Sequence, residues 1–335
     1  MKKVDITILS WDRLDDTKQA MLSGLAQKNI DGRVIVVDQG SQPINVKQLR
    51  EFSQDKARLT VIYNSVNLGV PGGRNQAALQ GDGDYIVGLD NDAEFIDQYQ
   101  MQKAVDIMEA DPTIGVLGFR VLRFGTQEDD RSSWYYSKNV DEYGDKTFEA
   151  NHFVGAGHMI RRSAFEQVKG YDDTLFFMQE EIDLSERIIN AGYKLVYSPD
   201  VVIGHKVSAE HRVNWTGMRW EYNVRNAFYL HIKRGTPIPN LVFHTALLIR
   251  RGAKAGMFLK SLSAVWQGIK LIPHARQERK TNLSNIVTPE SRRYRASCSS
   301  HTNQTLWQRI KNRIHASGVG PGESAKKTDE NEAVK

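Results

Sequence analysis

The sequence predicts an α/β protein whose sheet is mainly parallel and is covered by helices on both faces. Short apolar runs alternate with segments of helical periodicity over about the first 210 residues, which is the pattern of repeated strand and helix units. The run RVIVVD at 33–38 is almost continuously apolar, as expected for a strand buried on both faces. Ligands of such sheets bind at the carboxyl ends of the strands.

Length and composition fit one main domain with an appendage. The chain has 335 residues, of which 40% are hydrophobic and 25% charged, as in ordinary globular proteins. The single cysteine, Cys298, excludes an internal disulfide framework and a cysteine-rich zinc site. The apolar stretch before Asp12 is too short for a signal peptide, and no window approaches the roughly 18 apolar residues of a membrane span. We therefore expect a cytoplasmic protein.

In the first part of the chain, strands are predicted at the apolar runs and helices between them. The expected strands are 4–9, 33–41, 59–64, 85–92 and 114–124. Helices are expected after Asp12, over about 75–80 and over about 97–110. The segment SVNLGVPGGRN at 65–75 is predicted to be a loop.

The next part predicts a cover over the site and further regular elements. Residues 126–152 are polar and aromatic and are expected to form a loop or hairpin over the site. Residues 152–172 predict a strand followed by a helix. Residues 180–195 predict a short helix with Gly192 as its left-handed cap. Residues 194–208 predict a last pair of strands that ends near His205.

Charge is distributed unevenly along the chain. Residues 231–315 contain sixteen Lys or Arg and two Glu, whereas residues 1–230 contain 26 bases and 34 acids. We predict a main domain over 1–230, a basic amphipathic helical segment over 231–315 and a disordered tail over 316–335. Residues 241–272 set Leu, Ile, Phe and Trp among Arg and Lys, which indicates a helix or helix pair on an anionic membrane surface. Packing on the main domain explains the apolar half equally well.

Two carboxylates follow one of the predicted strands. Asp90 and Asp92 flank Asn91 directly after the apolar run that ends at Leu89. A cation that bridges a diphosphate prefers a few hard oxygen ligands, because phosphate oxygens complete its shell. Both aspartates are therefore candidate metal ligands, and His205, at the end of the last strand, is a candidate third. Asp-Asn-Asp is equally ordinary in a turn.

Two further segments are candidates for binding a nucleotide. Asp38 ends a strand, where a carboxylate can accept hydrogen bonds from a base or a ribose, or form an Asx turn. In GVPGGRN, Gly72 and Gly73 allow close backbone approach and Arg74 can bind phosphate bidentately. Asn75 as a helix cap explains part of this segment without any ligand.

Glu180, Glu181 and Asp183 crowd the first turn of a predicted helix, behind Phe176 and Phe177. Acidic residues favour that position through the helix dipole, which is a purely structural account. Three carboxylates within four residues also repel one another and raise at least one pKa. This is an environment in which a general base can be tuned towards neutral pH.

The ordered series of motifs resembles the inverting family-2 glycosyltransferases with the GT-A fold, of the bacterial rhamnosyl- and galactofuranosyl-transferase type. The resemblance covers roughly residues 3–210 and rests on DRLDDT, VVDQGS, NLGVPGGRNQA, GLDND, VGAGHMIRRSAF, GYDDTLFFMQEEIDLSERIINAGYKL and SPDVVIGH, in that order. It implies a doubly wound mixed sheet with a C-terminal helical appendage.

The resemblance also implies roles for the candidate residues. Asp90, Asp92 and His205 would hold a divalent cation, Mn²⁺ or Mg²⁺. The nucleotide diphosphate would lie against Ser10, Arg13, Asp38, Asn67, Gly69, Arg74, Asn75 and Asp90. The base is usually an aspartate in such enzymes and here would be Glu181, which is one methylene longer, with Glu180 or Asp183 as substitutes.

The implied reaction moves a sugar from a UDP- or dTDP-sugar to a saccharide or a polyprenyl-diphosphate-linked saccharide, with inversion, for cell-envelope or exopolysaccharide synthesis. The implied place is the cytoplasm or the inner face of the cytoplasmic membrane. Three tryptophans are candidates for stacking on acceptor sugars or for filling the core: Trp134, Trp215 and Trp220.

Two alternatives to this reaction stay open. A sugar nucleotidyltransferase on a related fold would need a basic, glycine-rich loop near the N-terminus, and the segment Trp11–Arg13 contains no glycine. A nucleic-acid-binding protein is suggested by the basic residues of 231–315, but the acidic first part of the chain weighs against it. No nucleic-acid partner is therefore expected.

Overall fold

The computed structural model describes residues 1–206 and 217–298. These residues form two compact units, one of residues 1–206 together with 287–298 and the other of residues 217–286. The predicted tail at 316–335 lies outside the described residues.

The first unit is built on a mixed sheet. Its strands are β1 (Lys3–Ser10), β2 (Asp31–Asp38), β3 (Leu59–Tyr63), β4 (Tyr85–Leu89), β5 (Ala93–Phe95), β6 (Ile114–Arg123), β7 (Phe148–Ala150), β8 (Gly157–Arg161) and β9 (Lys194–His205). The order in the sheet is β3-β2-β1-β4-β8-β6-β9-β5, and β7 pairs with β9. β1 to β4 pair in parallel, whereas β8 is antiparallel to both of its neighbours, β4 and β6.

The helices flank this sheet or form the second unit. They are α1 (Leu14–Leu25), α2 (Pro43–Ser53), α3 (Gly69–Gln80), α4 (Gln100–Ala110), α5 (Val140–Tyr143), α6 (Arg162–Gln167), α7 (Glu180–Asn190), α8 (Met218–Lys233), α9 (Ile238–Lys254), α10 (Phe258–Lys270), α11 (Ile272–Thr281) and α12 (Pro289–Ser297). Gly192 has φ of +96° just beyond α7, so the predicted left-handed cap is confirmed.

β2 is buried on both faces, as its apolar sequence predicts. Val34 and Val36 join the core cluster that contains Met21 of α1, whereas Ile35 and Val37 pack with an alanine of α3 on the opposite face. All four β2 side chains are fully buried. Helices therefore cover both faces of the parallel half of the sheet.

The predicted loop at 65–75 is mostly the first half of α3. Gly69 begins the helix with φ of +75°, and a Cβ at this position would collide with the carbonyl oxygen of Phe176. A Cβ at Gly73 would meet the side chain of Gln39, which follows β2. These glycines allow the helix to pack closely against its neighbours, and this packing outweighs their low helix propensity.

The predicted pair of strands at 194–208 is instead the single strand β9. Its register against β6 shifts between Phe119 and Arg120, whose partners are Ser198 and Val202. The extra residues of β9 include a proline, which cannot donate a ladder hydrogen bond and is accommodated in such an irregularity. The strand therefore continues to His205.

The second unit consists of helices α8 to α11. Its core includes Trp220, Val224, Met257 and Ala264. The predicted boundary at residue 230 falls inside α8, and α12, which lies within the predicted basic segment, belongs to the first unit. Among the described residues, we find no helix with the length and apolar character needed to cross a membrane.

Candidate active site

The three predicted metal ligands meet at one edge of the sheet. Asp90 and Asp92 follow β4, and Ala93 of the short strand β5 pairs in antiparallel register with His205 at the end of β9. This pairing brings the histidine beside the Asp-Asn-Asp turn. One ligand atom of each of the three residues lies within 4.8 Å of those of the other two.

The donor set fits a divalent cation. Two carboxylates and one imidazole suit Mn²⁺ or Mg²⁺, and the observed separations allow one ion to contact all three. His205 Nε2 lies 3.3 Å from Asp92 Oδ1. Burial lowers the pKa of His205, but hydrogen bonds to Asp130 and Asp92 outweigh burial and raise it to about 10. A histidine must be neutral to bind a metal, so binding of a cation by His205 would displace this proton.

Asp130 orients the histidine, and sequence reasoning missed it. His205 Nδ1 lies 3.0 Å from Asp130 Oδ2, so Nε2 is left facing Asp92. Asp130 in turn accepts hydrogen bonds from the hydroxyls of Ser132 (2.5 Å) and Ser133 (2.6 Å). A carboxylate behind a ligating histidine fixes its orientation and its tautomer. Asp130 lies in the segment predicted as a cover, and its only sequence signal is an acidic residue two positions before a pair of serines.

Two arginines hold the aspartates. Arg13 Nη1 lies 2.6 Å from Asp92 Oδ2. Arg74 is 5% exposed, and its guanidinium donates to the carbonyl oxygen of Thr7 (2.8 Å) and to Asp90 Oδ1 (3.1 Å). The structure therefore places both arginines against the candidate metal ligands, and their implied contacts with the nucleotide stay a prediction.

Asp38 and Ser10 lie at the ends of neighbouring strands, in local hydrogen bonds. Asp38 is buried, and its carboxylate accepts from Ser41 N (3.1 Å) and Ser41 Oγ (2.5 Å). Both hydrogen bonds come from a residue three positions further along the chain and give Asp38 a local structural role, and its contact with a nucleotide stays a prediction. Ser10 Oγ lies 3.1 Å from Thr17 Oγ1 of α1.

The remaining predicted nucleotide-binding residues surround the start of α3. Asn67 Oδ1 accepts from Gly69 N at 2.8 Å. Asn75 lies inside α3 and is therefore not its cap. Its side chain donates to Tyr171 O at 3.0 Å and accepts from Tyr171 N at 2.9 Å. Asn75 thereby fixes the segment that leads towards α7.

Glu180 and Glu181 begin α7, and the segment that precedes them has a strained backbone. Phe176, Met178 and Gln179 all have φ between +59° and +73°, which is uncommon for residues other than glycine. Such conformations persist where the surrounding structure enforces them, and they cluster at functional sites. These strained backbone conformations set the direction of the first turn of α7, and the sequence did not predict them.

The two glutamates differ in their exposure. Glu180 is 4% exposed, and its Oε2 has no hydrogen-bond partner among the described residues. Burial, and then repulsion from Glu181, raise the pKa of Glu180 well above its usual range. Glu181 is only partly buried, and burial raises its pKa to about 7, with a further contribution from the charge of Asp90. Glu181 is thus the more accessible carboxylate of the pair.

Gly155 makes room for Glu181. A Cβ at Gly155 would collide with Glu181 Oε1. Gly155 lies in VGAGH just before β8, a motif that contributes to the family resemblance but predicted no role for this glycine.

Asp183, the third predicted carboxylate, serves the fold. It is 2% exposed and forms an ion pair of 2.8 Å with Arg187. Arg187 also donates to the carbonyl oxygens of Val168 (2.8 Å) and Gly170 (2.6 Å). The pair ties α7 to the end of α6, and the predicted role of Asp183 as a substitute base stays a prediction beside Glu180 and Glu181.

The described tryptophans among the three acceptor candidates are packing residues. Trp134 makes edge contacts with Tyr136, Phe148 and Tyr197. Trp220 is 1% exposed and donates to a serine of α10. Trp215 lies outside the described residues.

Comparisons of the sequence identify related proteins. Residues 5–169 match the family model for Glycosyl transferase family 2. The chain is 38% identical over 63 residues to N-acetylglucosaminyl-diphospho-decaprenol L-rhamnosyltransferase of Mycobacterium tuberculosis, which is 19% of each protein. It is 25% identical over 241 residues to pre-mycofactocin glycosyltransferase of the same species, which is 69% of this chain and 47% of the relative. The chain thus spans less than half the length of either relative.

A solved structure shows the same fold. Mannosyltransferase PcManGT from Pyrobaculum calidifontis, in complex with GDP-Man and Mn²⁺, matches with a TM-score of 0.52 at 16% identity. The match covers 94% of this chain and 85% of that chain. The predicted GT-A fold is confirmed.

Proposed function

Because residues 5–169 are a glycosyltransferase family 2 region, we propose that this chain is a metal-dependent glycosyltransferase that inverts the configuration of the transferred sugar. The donor is a nucleotide diphosphate sugar, with UDP or dTDP as the nucleotide. The acceptor is a saccharide or a polyprenyl-diphosphate-linked saccharide of the cell envelope or of an exopolysaccharide.

One observation carries the proposal: a cation site and a carboxylate of raised pKa lie in the same electrostatic environment. The ligand atoms of Asp90, Asp92 and His205 lie within 4.8 Å of one another. The charge of Asp90 is among the causes that raise the pKa of Glu181 to about 7. A carboxyl group with such a pKa can accept a proton near neutral pH. The site thus combines a place for a diphosphate with a base for an acceptor hydroxyl.

The protein's own groups perform the following roles in this proposal. Glu181 removes the proton of the acceptor hydroxyl as that oxygen attacks the anomeric carbon. The bond from the anomeric carbon to the diphosphate oxygen breaks in the same displacement, so the configuration inverts. Arg74 and Arg13 hold the two aspartates in place. Asp90, Asp92 and His205 would hold a divalent cation, which would supply charge stabilisation for a diphosphate.

The related proteins support the substrate classes in the proposal. The rhamnosyltransferase named above acts, by its name, on a diphospho-decaprenol saccharide, which supports a lipid-linked acceptor. The mannosyltransferase structure contains GDP-Man and Mn²⁺, which supports a nucleotide sugar and a divalent cation.

Calorimetric binding of UDP and dTDP, with and without Mn²⁺, tests the proposal. We expect the wild type to bind at least one nucleotide only when Mn²⁺ is present, and Asp92→Ala to lose this binding. Asp15→Ala is the matched control, since Asp15 is in α1 and its side chain is 99% exposed. If the wild type binds neither nucleotide under any condition, the strand-end carboxylates are turn residues and the proposal fails.

A further inference from the structure

Helix α10 has a packed face and an exposed face. Ser261, Ala264 and Gly268 are buried in the second unit, where Ser261 Oγ accepts from Trp220 Nε1 at 2.8 Å. A Cβ at Gly268 would collide with Phe228 of α8. The small residues therefore form the side on which α10 packs against α8.

A second face of α10 is apolar and exposed. We call it the α10 stripe, and its members with their exposed fractions are Leu259 (77%), Leu262 (42%), Trp266 (60%) and Ile269 (39%). The spacings of three, four and three residues place them on one side of a helix, at about 100° per residue. Large apolar side chains exposed together in this way mark an interaction surface.

The charge around the stripe has one sign. Residues 222–277 contain nine Lys or Arg and no Asp or Glu. Lys260 and Lys270 of α10 itself are exposed, and Lys270 Nζ lies 5.7 Å from the centre of the Trp266 ring. The stripe is thus an apolar surface bordered by the exposed Lys260 and Lys270, in a stretch of the chain that contains no acidic residue.

Helix α9 shows the same combination. Ile238, Val242 and Phe243 are between 46% and 74% exposed, and the helix ends in Arg250, Arg251 and Lys254. Two consecutive helices of the second unit therefore present apolar side chains to solvent together with basic residues.

We propose that the α10 stripe binds the surface of an anionic lipid membrane. An amphipathic helix in the membrane plane buries Trp and Leu at the boundary of head groups and acyl chains, while its Lys and Arg meet anionic head groups. A second copy of this chain fits less well, because the basic segments of two copies would face each other without acidic partners. Vesicle binding requires no sugar transfer, so the test of this inference is independent of the test of the proposed function.

Co-sedimentation of the full chain with vesicles tests the inference. The probes are vesicles of phosphatidylcholine alone and vesicles that also contain phosphatidylglycerol. We expect binding to the second kind and its loss at high salt, because salt screens the attraction. Leu259→Ser and Trp266→Ser should each weaken binding about tenfold. Lys260→Gln should weaken it about fivefold, on the anionic vesicles only.

The control is Leu79→Ser, a change at a leucine of α3 that is 86% exposed in the first unit. It should bind as the wild type does. Equal binding by Leu259→Ser, Trp266→Ser and Leu79→Ser would overturn the inference. Absence of wild-type binding to anionic vesicles would also overturn it. If Leu259→Ser changes the oligomeric state in light scattering but leaves vesicle binding intact, the stripe is a contact between copies and the inference is also wrong.

Discussion

Replacing Glu181 by glutamine should reduce turnover strongly and stabilise the fold above neutral pH. The neutral amide keeps the shape of the side chain but cannot accept the acceptor's proton. General-base catalysis is typically worth ~10²–10⁴-fold, so kcat should fall by that factor while nucleotide binding persists. In the wild type, kcat should rise with pH through about 7, the pKa to which burial brings Glu181.

The stability effect follows from the same pKa. Burial raises the pKa of Glu181 from 4.5 to about 7, so the folded state binds the proton more tightly than the unfolded state. Stability contributed by this group is present below pH 4.5 and is lost as the pH rises through 7. At about 1.4 kcal/mol per pH unit the loss would be about 3 kcal/mol. Because Glu181 is partly exposed, solvent screening reduces this loss of stability to about 1–2 kcal/mol.

Urea unfolding at pH 5 and pH 8, with a nucleotide-sugar turnover assay, measures both effects. Glu181→Gln should be more stable than the wild type at pH 8 and nearly equal to it at pH 5. Glu142→Gln is the control, since Glu142 is an exposed residue of α5. Full turnover by Glu181→Gln, or a stability gain that is the same at both pH values, would refute the reasoning. Greater loss of turnover in Glu180→Gln would assign the base to its neighbour.

Three further predictions follow from contacts in the first unit. Asp130→Asn should weaken Mn²⁺ affinity ~10–100-fold in calorimetry, because the ligating histidine loses its orienting carboxylate; unchanged affinity would contradict that role. Asp183→Asn should cost about 3–5 kcal/mol in urea unfolding, because Arg187 is left buried and unpaired; lost turnover at unchanged stability would make Asp183 the base. Gly69→Ala should destabilise the protein more than Gly125→Ala in thermal unfolding. Both glycines have φ of +75°, but only a Cβ at Gly69 would also collide with backbone atoms. Equal losses of stability in the two variants would contradict that collision.

Much of the fold could be predicted from the pattern of apolar residues. The features that this pattern did not predict have a physical explanation. The run at 33–38 predicted a strand buried on both faces, and β2 is one. The pattern did not show that β8 runs antiparallel, because a buried strand has the same composition in either direction. It also placed a loop where α3 begins, since the close contacts that favour glycine there come from Gln39 and Phe176, far away in sequence.

For the candidate site, the sequence by itself determined which residue types are present and at which strand ends they lie. Asp90, Asp92 and His205 were identified in this way, and the structure brings them together. Only the tertiary structure decided what each neighbour does: it placed Asp130 behind the histidine and separated the partly exposed Glu181 from the paired Asp183. The reason is that a motif fixes the chemistry of a side chain, whereas burial and hydrogen-bond partners, which depend on distant segments of the chain, decide its charge and its use.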